Sequence, residues 1–99
     1  MRLLITGVSH RTAPVEVRER LAFREESLAG ALADLRALDG VDEAVILSTC
    51  NRVEIAVTCD EICDVRGAVD SFLQVAKGAG LDALEPHLYR HEEIGRAHV

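Results

Sequence analysis

The segment Ser48–Arg52, with the sequence STCNR, carries the side chains best suited to chemistry in this chain. It follows the apolar run Ala44–Leu47, which predicts a buried strand that ends in a polar turn. The thiol of Cys50 would then lie at the tip of a strand, within reach of a substrate. Arg52 adds a permanent charge and a planar fork that suits a carboxylate, and a nearby cation favours the nucleophilic thiolate. The alternative interpretation is a half-buried structural cysteine beside a surface arginine.

The composition indicates one small domain with an aliphatic core. The chain has 99 residues, of which 48% are hydrophobic and only 3% aromatic. No apolar stretch approaches the ~20 residues that a membrane span needs. The N-terminal apolar run turns polar at Thr6–His10, too early for a secretory segment. We therefore expect a cytoplasmic protein without a membrane partner.

Charge and cysteine content argue against two further classes of protein, nucleic-acid-binding domains and disulfide-rich domains. A net charge of −6 argues against a domain that grips nucleic acid by itself, so any RNA partner would need basic surface from elsewhere. Three cysteines without a secretory segment do not predict a disulfide framework. Cys59 and Cys63 leave a zinc site as an alternative, but their spacing is far from the usual ligand patterns. We interpret Cys59 as a strand residue and Cys63 as a helix or turn residue.

Apolar periodicity predicts the elements that would position the STCNR segment. The short connection Thr49–Arg52 predicts a hairpin between the second and third strands. The order β-α-β-β-α-β predicts an α+β, ferredoxin-like fold, an antiparallel sheet with helices on one face. The predicted strands are 2–9, 41–47, 52–59 and 88–90. The predicted helices run from Pro14, at the first helical position, to 20 or 22, from 25 to 38, and from 60 or 64 to about 78, with a connection at 80–86.

Three segments together resemble a known family. Gly7–Arg20 and Ser48–Glu54 are similar to the start of glutamyl-tRNA reductase, and Leu88–His91 resembles that family's next landmark. The resemblance covers residues 1 to about 92, in register. It implies reduction of glutamyl-tRNA to glutamate-1-semialdehyde with NADPH, the first committed step toward 5-aminolevulinate and tetrapyrroles.

The resemblance also implies roles for the STCNR segment. The family's nucleophilic cysteine falls on Cys50, which would form a thioester that hydride then reduces. The family's glutamate-binding residues fall on Thr49, Asn51 and Arg52. Among these, Arg52 is the candidate for the charged groups of the substrate.

The general base for Cys50 is left unassigned. His10 is the obvious candidate, but we expect the end of the first strand and the β-hairpin to lie at opposite edges of the sheet, which would make His10 remote. An antiparallel last strand would bring His91 nearer than His10.

The chain is much shorter than members of the family, which add a Rossmann NADPH domain and a helical dimerisation domain. No GxGxxG motif occurs here, so we expect NADPH to be bound by a domain absent from this chain. We interpret residues 1–92 as an incomplete N-terminal catalytic domain and residues 93–99 as a non-native tail, such as a translated sequencing adapter. His98 would then not be a family histidine. The longer parent is expected to be a homodimer, with glutamyl-tRNA as substrate and glutamate-1-semialdehyde aminomutase as a downstream partner.

A second hypothesis comes from a different class of function. The chain would be a non-catalytic, ferredoxin-like binding module that shares the sequence and works through a partner. The reactivity of Cys50 relative to Cys59 and Cys63 distinguishes the two hypotheses.

Overall fold

The structure is a computed structural model that describes residues 2–60, 62–77 and 85–94, without the side chains of residues 62–64 and 94. Four strands and three helices make up this part of the chain, with a 3-10 turn at Glu85–His87. In chain order the elements are β1 Arg2–Ser9, α1 Val15–Leu21, α2 Glu25–Arg36, β2 Val41–Ser48, β3 Arg52–Cys59, α3 Ile62–Lys77 and β4 Tyr89–Ile94. The predicted α+β fold is confirmed. In the β-α-β-β-α-β order, two helices, α1 and α2, stand between the first and second strands.

The four strands form one antiparallel sheet in the order β2-β3-β1-β4. Strand β3 alternates between buried and more exposed residues, as expected for a sheet with one covered face. Val53, Ile55 and Val57 of β3 point into the core. The helices cover that face and contribute apolar side chains to the same cluster, among them Leu21, Leu35, Val65, Val69 and Leu73.

The sheet order corrects the expectation about His10. Because β1 and β3 are antiparallel neighbours, the last residue of β1, Ser9, pairs with the first residue of β3, Arg52. The end of β1 and the β2–β3 hairpin therefore lie side by side at the same end of the sheet. The prediction that they lie at opposite edges was wrong, since a strand in the middle of the sheet ends next to its neighbour's turn.

Smaller differences from prediction occur at element ends. Helix α2 ends at Arg36 rather than residue 38, and the chain enters β2 through Gly40, whose φ of 89° is a conformation that glycine adopts without a steric penalty. Strand β4 is longer than predicted, and its last residues, Glu93 and Ile94, pair with Leu3 and Arg2. The predicted connection at 80–86 falls mostly outside the described residues, as do residues 95–99.

Within the described ranges, no helix is both long enough and apolar enough to cross a membrane.

Candidate active site

Cys50 lies in the turn of the β2–β3 hairpin and is exposed. The turn is closed by a hydrogen bond of 2.8 Å from the backbone N–H of Thr49 to the carbonyl of Arg52. The Thr49 hydroxyl accepts hydrogen bonds from the N–H groups of Asn51 and Arg52, at 3.3 and 3.2 Å, and donates to the carbonyl of Arg52. Such side-chain bonds to nearby backbone are typical of threonine in turns. They hold the thiol of Cys50 on an ordered loop.

The loop after β1 braces this turn from the neighbouring strand. The backbone N–H of His10 donates a hydrogen bond of 2.8 Å to the carbonyl of Asn51. His10 therefore belongs to the surroundings of Cys50 through its backbone, while the residue itself is exposed. This contact follows from the pairing of Ser9 with Arg52, which a sequence without strand order does not reveal.

Helix α1 packs beside the hairpin and forms a small cleft at Cys50. A cavity of about 90 Å³ is lined by Val15, Arg18, Glu19, Ala22, Thr49 and Cys50. Arg18 donates a hydrogen bond from Nε to the carbonyl of Cys50, at 3.3 Å. Arg18 is not among the site residues that the sequence predicts. The signal for it was weak: Arg18 belongs to the Gly7–Arg20 segment that carries the family resemblance, on the polar side of a short helix.

Arg52 lies at a second, larger cavity. This space of about 420 Å³ is lined by Ser9, Arg11, Thr12, Arg52, Glu54, Tyr89 and His91, on the sheet face opposite the helices and at its rim. Cys50 and Arg52 thus line two different cavities that flank one turn. The structure brings Thr49 and Cys50 together in the smaller cleft and places Arg52 with His91 in the larger one.

A hydrogen bond crosses β1 in the larger cavity. The Tyr89 hydroxyl donates to a carboxylate oxygen of Glu54, and these residues flank Gly7 on either side, since Gly7 pairs with both. Burial and the bond to Glu54 raise the pKa of Tyr89 above its ordinary value of 10.0, so that the hydroxyl stays a donor even in alkaline solution. Glu54 and Tyr89 are not predicted as site residues, because their contact depends on the order of three strands.

The described residues offer little to a metal ion. No group of three or more His, Cys, Asp or Glu side chains is placed among them to hold one. Cys59 is buried, with its Sγ 3.9 Å from the carbonyl oxygen of Arg2. The side chain of Cys63 lies outside the described residues, so the zinc alternative for Cys59 and Cys63 stays untested.

NADPH does not fit the residues in this chain that the structure describes. A dinucleotide site of the Rossmann type needs a glycine-rich turn between a strand and a helix. The connection from β1 to α1, residues 10–14, contains no glycine, and no GxGxxG occurs in the sequence.

Fold and site together define a ferredoxin-like domain that presents an exposed cysteine on a braced hairpin, between a small cleft and a charged cavity. The family model described as the N-terminal domain of glutamyl-tRNA(Glu) reductase matches residues 6–98. The chain belongs to this family.

Known relatives agree with that assignment. Glutamyl-tRNA reductase of Solibacter usitatus is 65% identical over 92 residues, which cover 93% of this chain and 22% of that protein. The structure of glutamyl-tRNA reductase from Methanopyrus kandleri has a TM-score of 0.56 and 22% identity, covering 94% of this chain and 19% of its own. A Deinococcus radiodurans structure, described as an antibiotic biosynthesis monooxygenase, has a TM-score of 0.59 and 17% identity, covering 100% of this chain and 96% of its own. At these identities the two structures support the fold alone. The chain spans about a fifth of the length of the curated relatives that it matches.

Proposed function

We propose that this chain carries the acyl-transfer site of a glutamyl-tRNA reductase, with Cys50 as the nucleophile. The observation that carries the proposal is the exposed thiol on a hydrogen-bonded turn beside an open cleft. In this step the Sγ–C bond to the glutamyl carbonyl forms, and the ester bond from that carbon to the ribose oxygen breaks. The ribose oxygen takes up a proton and leaves as the tRNA hydroxyl. A thiolate suits this step because it attacks acyl carbons well.

Arg52 is proposed to hold a charged group of the glutamyl substrate. It lines the larger cavity with Arg11, and two guanidinium groups there favour a carboxylate. Asn51 lies beside Cys50 in the same turn and is exposed, so its side chain is accessible to the same substrate. Thr49 contributes by shaping the turn, because its hydroxyl already makes three hydrogen bonds within it.

The remaining parts of the proposed reaction depend on the longer protein. Reduction of the thioester by NADPH, binding of the tRNA body, homodimer formation and contact with glutamate-1-semialdehyde aminomutase are all assigned to regions beyond these residues. The resemblance implies them, and the residues described here do not fit the cofactor. The cytoplasmic location stays a prediction.

Alkylation with iodoacetamide, read by peptide mass spectrometry, tests the nucleophile. Cys50 is expected to react faster than Cys59, which is buried, and faster than Cys63. A small activated glutamyl ester should then add one glutamyl group to the chain, and Cys50→Ala should abolish the addition. Equal alkylation of the three cysteines, or acylation that persists in Cys50→Ala, would contradict the proposal.

The second candidate function is the non-catalytic binding module. The fold alone does not decide between the two functions, because the Deinococcus radiodurans structure has this fold under an unrelated name. A folded chain whose Cys50 neither alkylates readily nor accepts a glutamyl group would support this second function.

A further inference from the structure

Arg18, on the polar side of α1, donates side-chain hydrogen bonds to two backbone carbonyls outside its own helix. Its Nη1 donates a hydrogen bond of 2.9 Å to the carbonyl of Ala13, in the connection from β1 to α1. Its Nε donates to the carbonyl of Cys50 in the hairpin, 32 residues away in the sequence. One half-buried guanidinium therefore joins the start of α1 to the turn that carries the thiol. Hydrogen bonds from a charged donor are stronger than neutral ones.

The contact to Cys50 completes the bracing of the turn. The carbonyl of Asn51 accepts from His10 N–H, and the carbonyl of Arg52 accepts from Thr49 N–H. The carbonyl of Cys50 accepts from Arg18, which is the charged donor among these three. The carbonyl of Cys50 is thus held from the helix side, that of Asn51 from the loop after β1, and that of Arg52 from within the turn.

Arg18, rather than Arg52, shares a cleft with Cys50. Arg18 and Cys50 both line the cavity of about 90 Å³, whereas Arg52 lines the larger cavity beyond the turn. A guanidinium carries five N–H donors. Two of its nitrogens are accounted for by the bonds to Ala13 and Cys50, so further donors are available to a negative charge in the cleft.

We propose that Arg18 is a positioning residue for Cys50: its guanidinium fixes the Cys50 peptide and supplies the positive charge that attracts an incoming anion to the cleft. This inference rests on the proposed function, because it needs Cys50 to be the nucleophile. It assigns the positive charge beside the thiol to an arginine on the neighbouring helix rather than to the arginine in the turn.

Two alkylating agents of similar size test the proposal on the 99-residue chain. Iodoacetate is an anion and iodoacetamide is neutral, so the ratio of their rates at Cys50 reports the local charge. Arg18→Gln should lower this ratio by roughly fivefold, the size expected for losing one partly exposed charge interaction. Arg18→Lys should keep most of the ratio, because the charge remains. Arg20→Gln, which removes an exposed charge from the same helix, is the matched control and should leave the ratio within about twofold.

The outcomes separate this inference from the proposed function. If Cys50 of the unmodified chain reacts no faster than Cys59, the nucleophile is wrong and the role of Arg18 falls with it. If Cys50 is fast but the ratio is the same in Arg18→Gln and Arg20→Gln, only the role of Arg18 is overturned. If Arg18→Gln lowered the iodoacetate and iodoacetamide rates at Cys50 by the same factor, the substitution would have disordered the turn without changing its local charge. That result would also overturn the role of Arg18. Should Arg18→Gln fail to fold, a ratio in Arg18→Lys as low as that of a small free thiol would decide against the proposal.

Discussion

At the scale of single residues, Gly7 shows how a missing side chain organises the larger cavity. A Cβ atom built on Gly7 would lie 2.4 Å from the carbonyl oxygen of Val53 and 2.9 Å from Cγ of Glu54. Both distances are shorter than side chains tolerate, and the first involves backbone of the neighbouring strand. The hydrogen bond between Tyr89 and Glu54 spans β1 at this point. The absence of a side chain at Gly7 therefore provides the space in which Tyr89 and Glu54 form their hydrogen bond.

Gly7→Ala should destabilise the fold by about 2 to 3 kcal/mol, because β1 and β3 must move apart to admit the methyl group. Chemical denaturation with urea measures this change. Gly30→Ala is the matched control: Gly30 lies in α2, and nothing lies within 4 Å of the position of its added Cβ. That substitution should stabilise by roughly 0.5 to 1 kcal/mol, because alanine favours helix more than glycine does. If both variants changed stability by the same amount, close approach at Gly7 would not be the cause.

At the scale of elements, two ion pairs link β4 to α3. Arg90 of β4 donates to both carboxylate oxygens of Asp70 in α3, at 3.0 and 3.2 Å, and Arg66 pairs with Glu92 one turn away. The side chains of Arg90 and Asp70 are only 22% and 15% exposed. Burial raises the pKa of Asp70 above 3.8, and the attraction of Arg90 offsets only part of that effect.

This balance predicts a pH dependence of stability. Because the folded state binds the Asp70 proton more tightly than the unfolded state, the stabilisation from this group is fully present below pH 3.8 and is lost as pH rises through the folded-state pKa. The free energy of unfolding, measured relative to Asp70→Asn over a pH series, should fall as pH rises through that window. Asp34→Asn on α2 serves as a control for removing an acidic group. A difference that grew with pH would mean that the Arg90 pair outweighs burial.

Elements were predictable from sequence where side-chain periodicity reports burial directly. The bounds of β3 agree with its alternation, those of β1 agree with a run rich in Leu, Ile and Val, and the hairpin follows from the polar segment between two apolar runs. Contacts between distant elements were not predictable. The bond from His10 to Asn51 depends on β1 lying next to β3, and the bond from Arg18 to Cys50 depends on how α1 packs against the turn. Local composition predicts neither of these contacts.

At the scale of the whole molecule, the net charge of −6 limits what this domain does with tRNA by itself. Affinity for nucleic acid comes largely from lysine and arginine that neutralise phosphates. Several arginines are already engaged with protein groups: Arg18 with backbone carbonyls, Arg66 with Glu92, and Arg90 with Asp70. The two arginines that line the larger cavity, Arg11 and Arg52, are too few to neutralise the phosphates of a polynucleotide backbone.

The 99-residue chain should therefore bind tRNA more weakly than about 0.1 mM at physiological salt, the weak end of non-specific affinity. Filter binding or fluorescence anisotropy with labelled tRNA measures this, with a basic RNA-binding protein as the positive control. Glu25→Lys combined with Glu26→Lys, at the exposed start of α2, should raise binding and make it strongly dependent on salt. Micromolar binding by the unmodified chain would show that the domain has a tRNA surface of its own. Cys50 would then receive its glutamyl group from a tRNA held by this domain, rather than from one delivered by other parts of a longer protein.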